Sequence, residues 1–154
     1  MVEKIIKEMI KEEEEEEAQN LKDYLSSQCC ALYLHFVKGC YGKNDKRDAP
    51  HWRTSLLTSV RNLYSAISSK KKPDFVLIKT ILIAKPVSKK NLTEVHSDFK
   101  DHESALYVWN KISKSSIDQE YIKFVENIEK AYTSRITSND FTNAYINAFQ
   151  VPEV

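Results

Sequence analysis

All three cysteines of the chain and two of its four histidines lie in one stretch, residues 28–52. Thiolates and imidazoles are the ligands that zinc prefers, and a thiol beside a base can act as a nucleophile. The stretch therefore raises two chemical hypotheses, a metal site and a reactive cysteine. The candidate groups are Cys29, Cys30, His35, Cys40 and His51.

The spacing of these residues argues against a metal site. If residues 18–38 form a helix, Cys30 and His35 point about 140° apart, and the neighbouring thiols of Cys29 and Cys30 diverge by about 100°. Zinc ligands usually come in pairs from a tight turn or from one helical face, and the chain contains neither C-x-x-C nor H-x-x-x-H. We therefore expect no bound metal and no cofactor.

The thiols fit a structural role better than a catalytic one. Cys29 continues a helical apolar stripe and is expected to be a small core residue, a common fate of a free cysteine. Cys40 follows Lys38 and Gly39 and is expected to be more exposed, with the cation lowering its pKa modestly and the helix C-terminus opposing a thiolate. A catalytic cysteine also needs an orienting base, and no spacing in the sequence brings a histidine to Cys40.

Composition removes several classes of function. The chain has 154 residues, 42% of them apolar and 29% charged, with a net charge of +1, as expected of one globular domain without a global field that attracts nucleic acid. It has only two glycines, Gly39 and Gly42, so the chain contains neither the GxGxxG nor the GxxxxGK phosphate-binding motif. Three cysteines make no disulfide framework, which predicts an intracellular protein, cytoplasmic or nuclear.

The elements that must position these residues are helices. Apolar residues recur at steps of three and four between polar turns, so we predict an all-α fold, a compact helical bundle or short helical array of six or seven helices. Residues 75–84 are rich in β-branched side chains and could form a short extended segment, but helix is favoured because no second strand is available to pair with it. The predicted core consists of Leu32, Phe36, Trp52, Leu56, Val60, Leu63, Leu106, Trp109, Phe124, Val125 and Ile128.

Local signals predict where several helices begin and end. Gly39 is a predicted C-cap, and Asp48 followed by Pro50 predicts a helix start. Further N-caps are predicted at Asp101, Ser116 and Ser138. Residues 86–100 are predicted to be a long connection with about one helical turn. The predicted inward face of the last helix is Phe141, Ala144, Tyr145, Ala148 and Phe149.

The chain divides into three parts on charge and periodicity. Residues 1–17 are an amphipathic, acidic helical segment, residues 18–150 form a single helical domain, and residues 151–154 are a tail. No run of residues is long and apolar enough for a membrane span. The first part carries an apolar stripe followed by six glutamates at 12–17, and helix is expected on both sides of that tract. The stripe consists of Val2, Ile5, Ile6, Met9 and Ile10.

Two functions remain open at this level. Because no nucleotide loop, converging ligand set or catalytic triad can be found, we predict a non-enzymatic interaction or scaffold/adaptor module, with the N-terminal stripe binding a protein partner, a second copy, or the chain's own domain. The alternative is a nucleic-acid-binding helical protein that uses lysine-rich loops at 43–47, 70–72 and 85–90. The basic patch of this alternative comprises Lys43, Lys46, Arg47, Lys70, Lys71, Lys72, Lys89 and Lys90.

Overall fold

A computed structural model describes residues 2–69, 73–84 and 89–153, without the side chains of 89–92. These residues form seven α-helices and no strand, which confirms the predicted all-α class. The helices are α1 (Val2–Phe36), α2 (Ala49–Ser68), α3 (Phe75–Ile83), α4 (Lys89–Phe99), α5 (Glu103–Lys111), α6 (Lys114–Thr133) and α7 (Ser138–Ala148).

Helix α1 packs against α2 and α3, while α7 covers the other side of α2 and α6 closes the bundle against α3 and α7. Phe36 lies at the centre of the core and is fully buried. Its ring is 5.0 Å from that of Phe124 and 5.6 Å from that of Tyr121, measured between centroids. Of the predicted core, every residue is buried except Leu106, which is partly buried.

The two glycines serve close packing rather than a helix end. Helix α1 does not stop at Gly39 but continues as a π-helical turn, Val37–Tyr41, so the predicted C-cap was wrong. A β-carbon at Gly39 would lie 3.0 Å from a methyl carbon of Leu56, and one at Gly42 would lie 2.5 Å from the ring of Trp52. Side chains at these positions would push α2 away from the end of α1.

The segment 75–84 is helical, as favoured over the extended alternative. Asp74 caps α3, because its carboxylate accepts a hydrogen bond from the backbone N–H of Leu77 at 3.1 Å. Tyr121 donates its hydroxyl proton to the carbonyl of Leu82 at 3.0 Å and so fixes the end of α3 on α6.

Three helix starts differ from the predicted ones. The N-caps are His102, Ser113 and Thr137 instead of Asp101, Ser116 and Ser138. Ser113 and Thr137 act by the expected chemistry, since each side chain accepts a bond from a backbone N–H three residues later. Where several serines and threonines lie close together, each has a side chain that could serve as the N-cap. The sequence does not show which one caps the helix, because that depends on the backbone geometry.

For α2, the N-cap was predicted at the right residue, but the predicted capping hydrogen bond is absent. Asp48 is the N-cap and Pro50 lies in the first turn, but the Asp48 side chain makes no capping bond. Its carboxylate instead lies 2.8 Å from Nε2 of His102.

One further prediction was wrong, and another was right only in part. The expected connection at 86–100 contains a full helix, α4, anchored by the buried side chains of Val95 and Phe99 at i, i+4 spacing. In α7 the buried residues are Thr142 and Ile146. Of the predicted face, Phe149 at the C-cap is buried and Phe141 and Tyr145 are partly buried against the core, whereas Ala144 and Ala148 are exposed. Thr142 can be buried because its hydroxyl donates to the carbonyl of Ser138 at 2.7 Å.

Candidate protein-binding helix

The N-terminal part of α1 extends beyond the rest of the fold. All residues from Val2 to Asn20 are exposed, and Leu21 is the first buried residue of the helix. At 1.5 Å per residue this segment is about 28 Å long. We call residues 2–20 the projecting segment and the other described residues the body.

The apolar stripe predicted at the N-terminus lies entirely on the projecting segment. Val2 is 71% exposed, and the other four side chains are between 50% and 56% exposed. Residues 2 to 10 thus present five large apolar side chains to solvent within less than three helical turns. The body does not bury them.

The direction of the stripe explains why the body leaves it uncovered. With about 100° of rotation per residue, its mean direction differs by about 140° from that of the α1 residues that enter the core. The core-facing residues are Leu21, Leu25, Cys29, Leu32, Tyr33 and Phe36. Helix α1 therefore has two apolar faces on nearly opposite sides, and only the second one meets the body.

The glutamates at 12–17 separate the two apolar faces. Six consecutive helical positions point in all directions around the axis, so no apolar seam can run continuously from the stripe to the core. The helix passes through this tract unbroken. The projecting segment holds eight glutamates and three lysines, whereas the whole chain has a net charge of +1, so the remainder of the chain is positively charged.

The other exposed large apolar residues are single. They are Val76 on α3, Tyr107 on α5 and Ile136 before α7. Scattered apolar side chains are ordinary on protein surfaces, whereas a contiguous group marks a contact site. Within the described ranges, residues 2–10 are the only such group.

The predicted basic patch is only partly visible. Lys43 is turned inward, and its ammonium donates to the carbonyls of Ile146 and Phe149 at the C-terminus of α7. The guanidinium of Arg47 lies 3.9 Å from the carboxylate of Asp48, and Lys46 is exposed. The side chains of Lys70, Lys71, Lys72, Lys89 and Lys90 lie outside the described residues.

The structure corrects the expectation for Cys40. Its side chain is fully buried rather than exposed, and burial raises the pKa of the thiol to about 12 although Lys43 and Arg53 act to lower it. Cys29 is a core residue, as predicted. His35 hydrogen-bonds to Ser59 on α2. In the ranges that the structure describes, no three histidine, cysteine or acidic side chains converge as metal ligands would.

A buried charge cluster was not found from the sequence. The Nδ1 and Nε2 atoms of His102 lie 3.0 Å from Asp45 and 2.8 Å from Asp48, and the ring packs on Trp52 at 4.8 Å between centroids. Partial burial acts to raise the pKa of Asp45, but the backbone N–H groups of Asp48 and Arg47 and the His102 side chain together lower it. The cluster ties the loop before α2 to the start of α5.

A second unpredicted arrangement lies in a cleft of about 650 Å³ between α4 and the α5–α6 junction. Nζ of Lys114 sits 2.9 Å from the centre of the Trp109 ring. Burial lowers the pKa of Lys114 to about 8, with Asp118 acting in the opposite direction. From the sequence, Trp109 was predicted to lie in the core and Lys114 had no predicted role, and no spacing signal joins the two residues.

Comparisons with protein-family models, curated proteins and solved structures gave no match for this chain. None of the helices in the described part of the chain is long and apolar enough to cross a membrane.

Proposed function

We propose that this chain is a non-enzymatic helical interaction module of scaffold or adaptor type, which binds a protein through the stripe on its projecting segment. The observation that supports this proposal is the exposure of five contiguous apolar side chains on a helix whose other apolar face is in the core. Such a helix is suited to binding in an apolar groove or against another helix.

The energetics allow such a contact. A large apolar side chain contributes about 1.5–3 kcal/mol when it passes from full exposure to full burial. Each of the five half-exposed side chains of the stripe supplies part of this burial free energy. Together they are enough to hold a helix after the costs of association. Because the helix is already continuous with the body, binding does not have to order the segment first.

The glutamates at 12–17 would govern partner choice more than affinity. Charges beside an apolar contact steer association and disfavour surfaces of the same sign. The preferred partner surface therefore carries basic residues next to its apolar contact.

The remaining groups support a binding role over catalysis. The Cys40 thiol is buried, His35 is hydrogen-bonded on α2, and His102 is held between two carboxylates. None of these three groups lines the cleft between α4 and the α5–α6 junction, where the titratable side chains are His96, Lys100 and Lys114. The three free cysteines suit a reducing intracellular compartment, cytoplasmic or nuclear.

Deletion of residues 1–17 tests the proposal. We expect the truncated chain to keep its melting temperature within about 2 °C, because the removed residues make no core contact. Affinity capture from the source cell should lose partners that the full chain retains. Ile6→Lys should reproduce this loss, while the matched control Val76→Lys, an exposed apolar position on α3, should not. Unfolding of the truncated chain, or capture that does not depend on residues 1–17, would contradict the proposal.

A further inference from the structure

We infer that the cleft between α4 and the α5–α6 junction binds the phosphate group of a small phosphate monoester. The cleft has a volume of about 650 Å³, which is within the range of small-molecule sites in proteins. Among the described residues, its lining includes the basic side chains of His96, Lys100 and Lys114 and no acidic side chain. The site lies apart from the projecting segment and does not depend on the proposed function.

Trp109 holds the ammonium group of Lys114 at the cleft. Nζ of Lys114 lies 2.9 Å from the centre of the Trp109 ring, and this ring is buried, with its centroid 6.2 Å from that of Phe99. A cation over the face of an indole is attracted by the π electrons. Because the ring is fixed in the core, the ammonium is already positioned, and a ligand does not have to order a long flexible side chain.

The ammonium of Lys114 lacks full compensation for the water that it has lost. Burial lowers its pKa to about 8, and Asp118 offsets this effect only in part. The carboxylate of Asp118 also accepts a hydrogen bond from the hydroxyl of Tyr33 on α1, at 3.2 Å. An anion in the cleft would stabilise the charged form of Lys114 directly.

Helix α4 brings two further basic groups to the same cleft. His96 and Lys100 are four residues apart and so lie on one face of this helix, and both line the cleft. An imidazole donates a hydrogen bond in either protonation state, and an ammonium group has three donors. The neutral side chains of Ser97 and Asn110 add further donors to the lining.

The number of basic groups favours a phosphate monoester over other anions. Near pH 7 a monoester carries a charge of about −1.5 to −2 and presents three acceptor oxygens, whereas a carboxylate carries one charge on two oxygens. Two ammonium groups and an imidazole therefore match a monoester better than a carboxylate. The volume of the cleft leaves room for the organic group to which the phosphate is attached.

Titration calorimetry on the full chain tests the site, with inorganic phosphate and phenyl phosphate as probes at constant ionic strength. We expect one phenyl phosphate per chain with a Kd of about 1 mM or lower. Lys114→Met and Lys100→Gln should each weaken binding about tenfold, because each removes a charge-assisted contact. Lys111→Met is the matched control and should not weaken it, since the ammonium of Lys111 lies over Tyr107, at 5.8 Å from the ring centre. Circular dichroism confirms that each variant is folded.

The fluorescence of Trp109 gives a second measurement in which the cleft residues are unchanged. In a Trp52→Phe background, loss of the Lys114 proton near pH 8 should change this fluorescence. The other charged groups around Lys114 are Asp118 on α6 and His96 and Lys100 on α4. Saturating phosphate should move the midpoint to higher pH, because a bound anion favours the ammonium form.

The outcomes that overturn the inference are distinct. They are the absence of saturable binding, binding that Lys114→Met and Lys100→Gln leave unchanged, and equal weakening by Lys111→Met, which would show attraction to positive charge in general. Equal binding of dimethyl phosphate, a phosphodiester, would assign the cleft to a nucleic-acid backbone instead of a monoester. Deletion of residues 1–17 should leave phosphate binding unchanged, so failure of the stripe as a contact surface and failure of this site are observed separately.

Discussion

Helix α1 is exposed on every side up to Asn20 and is buried along one face from Leu21 to Phe36. Both parts carry apolar residues at helical spacing, and nothing in the spacing alone distinguishes them. The two parts differ in direction, since their stripes point about 140° apart around the helix axis. They also differ in packing, since α2 and α3 pack against the second part only. An amphipathic pattern therefore predicts a contact face, while the phase relative to the next stripe decides whether the contact is internal.

The largest expected effect contrasts one residue from each part of α1. Phe36→Ala removes a fully buried ring that contacts Tyr121 and Phe124, and should lower the free energy of unfolding by about 3–5 kcal/mol. Ile6→Ala should change it by less than about 0.5 kcal/mol, as expected of an exposed position. Urea denaturation measures both changes. Equal losses would place residue 6 in the core and remove the distinction.

The second prediction concerns the charges of the two regions. His102→Ala leaves the Asp45 carboxylate without its hydrogen-bond partner on the His102 ring and should cost about 1.5–3 kcal/mol. Replacement of Glu14 by Gln on the projecting segment should leave stability unchanged, because its side chain is solvated.

The dependence on pH sharpens the same contrast. The pKa of Asp45 is lower in the folded chain than in the unfolded chain, so its contribution is present above the unfolded value of about 3.9 and is lost as the pH falls below it. Asp45→Asn should therefore flatten the loss of stability between about pH 5 and pH 2. If Asp45→Asn loses as much stability on acidification as the unsubstituted chain, the Asp45 carboxylate does not contribute to folding stability.

The third prediction uses the thiols as reporters of the body. Cys30 is partly exposed, whereas Cys29 and Cys40 are buried. An alkylating reagent should modify Cys30 in the native chain and reach the other two only through unfolding, at rates lower by about a thousandfold or more. Deletion of residues 1–17 should not change this pattern. Fast modification of Cys40 would mean that the end of α1 opens independently of the core.

The smallest expected effect is spectroscopic. Since the pKa of Lys114 is lowered to about 8, its ammonium should lose its proton near pH 8 while it lies over the Trp109 ring. We expect a step in the fluorescence of Trp109 with a midpoint near pH 8 in a Trp52→Phe background, and no step after Lys114→Met. The folded chain holds fewer protons than the unfolded chain between about pH 8 and the ordinary lysine value of about 10.4, so this residue makes stability rise with pH in that window.

The spacing of apolar residues was sufficient to predict the buried face of a helix where that face consists almost entirely of apolar residues. The stripes of α2 and α6 are strictly apolar, and the predicted residues such as Leu56 and Phe124 are buried. It was insufficient in α7, where a threonine takes a core position through its own hydrogen bond, and at 86–100, where the described apolar anchors, Val95 and Phe99, lie among many polar residues. The cluster of Asp45, Asp48 and His102 joins residues more than fifty positions apart, and no local pattern contains that contact.

The candidate site was located by its residues but not by its environment. The sequence identified Val2 to Ile10 as an apolar stripe and left open whether the chain's own domain covers it. That question depends on the phase of α1 after the glutamates and on the placement of α2 and α3. Both depend on how the helices pack together, which the local sequence pattern does not show.

The capping of α7 by Lys43 has a consequence for how the chain is made. This lysine bonds to the carbonyl of a residue 106 positions further along, so the end of α1 and the start of α2 wait for α7 before their contacts are complete. At about 5–20 residues per second, the ribosome needs roughly 5–20 s to reach Phe149 after adding Lys43. During that interval the face of α2 that α7 covers in the folded chain is exposed on the nascent chain.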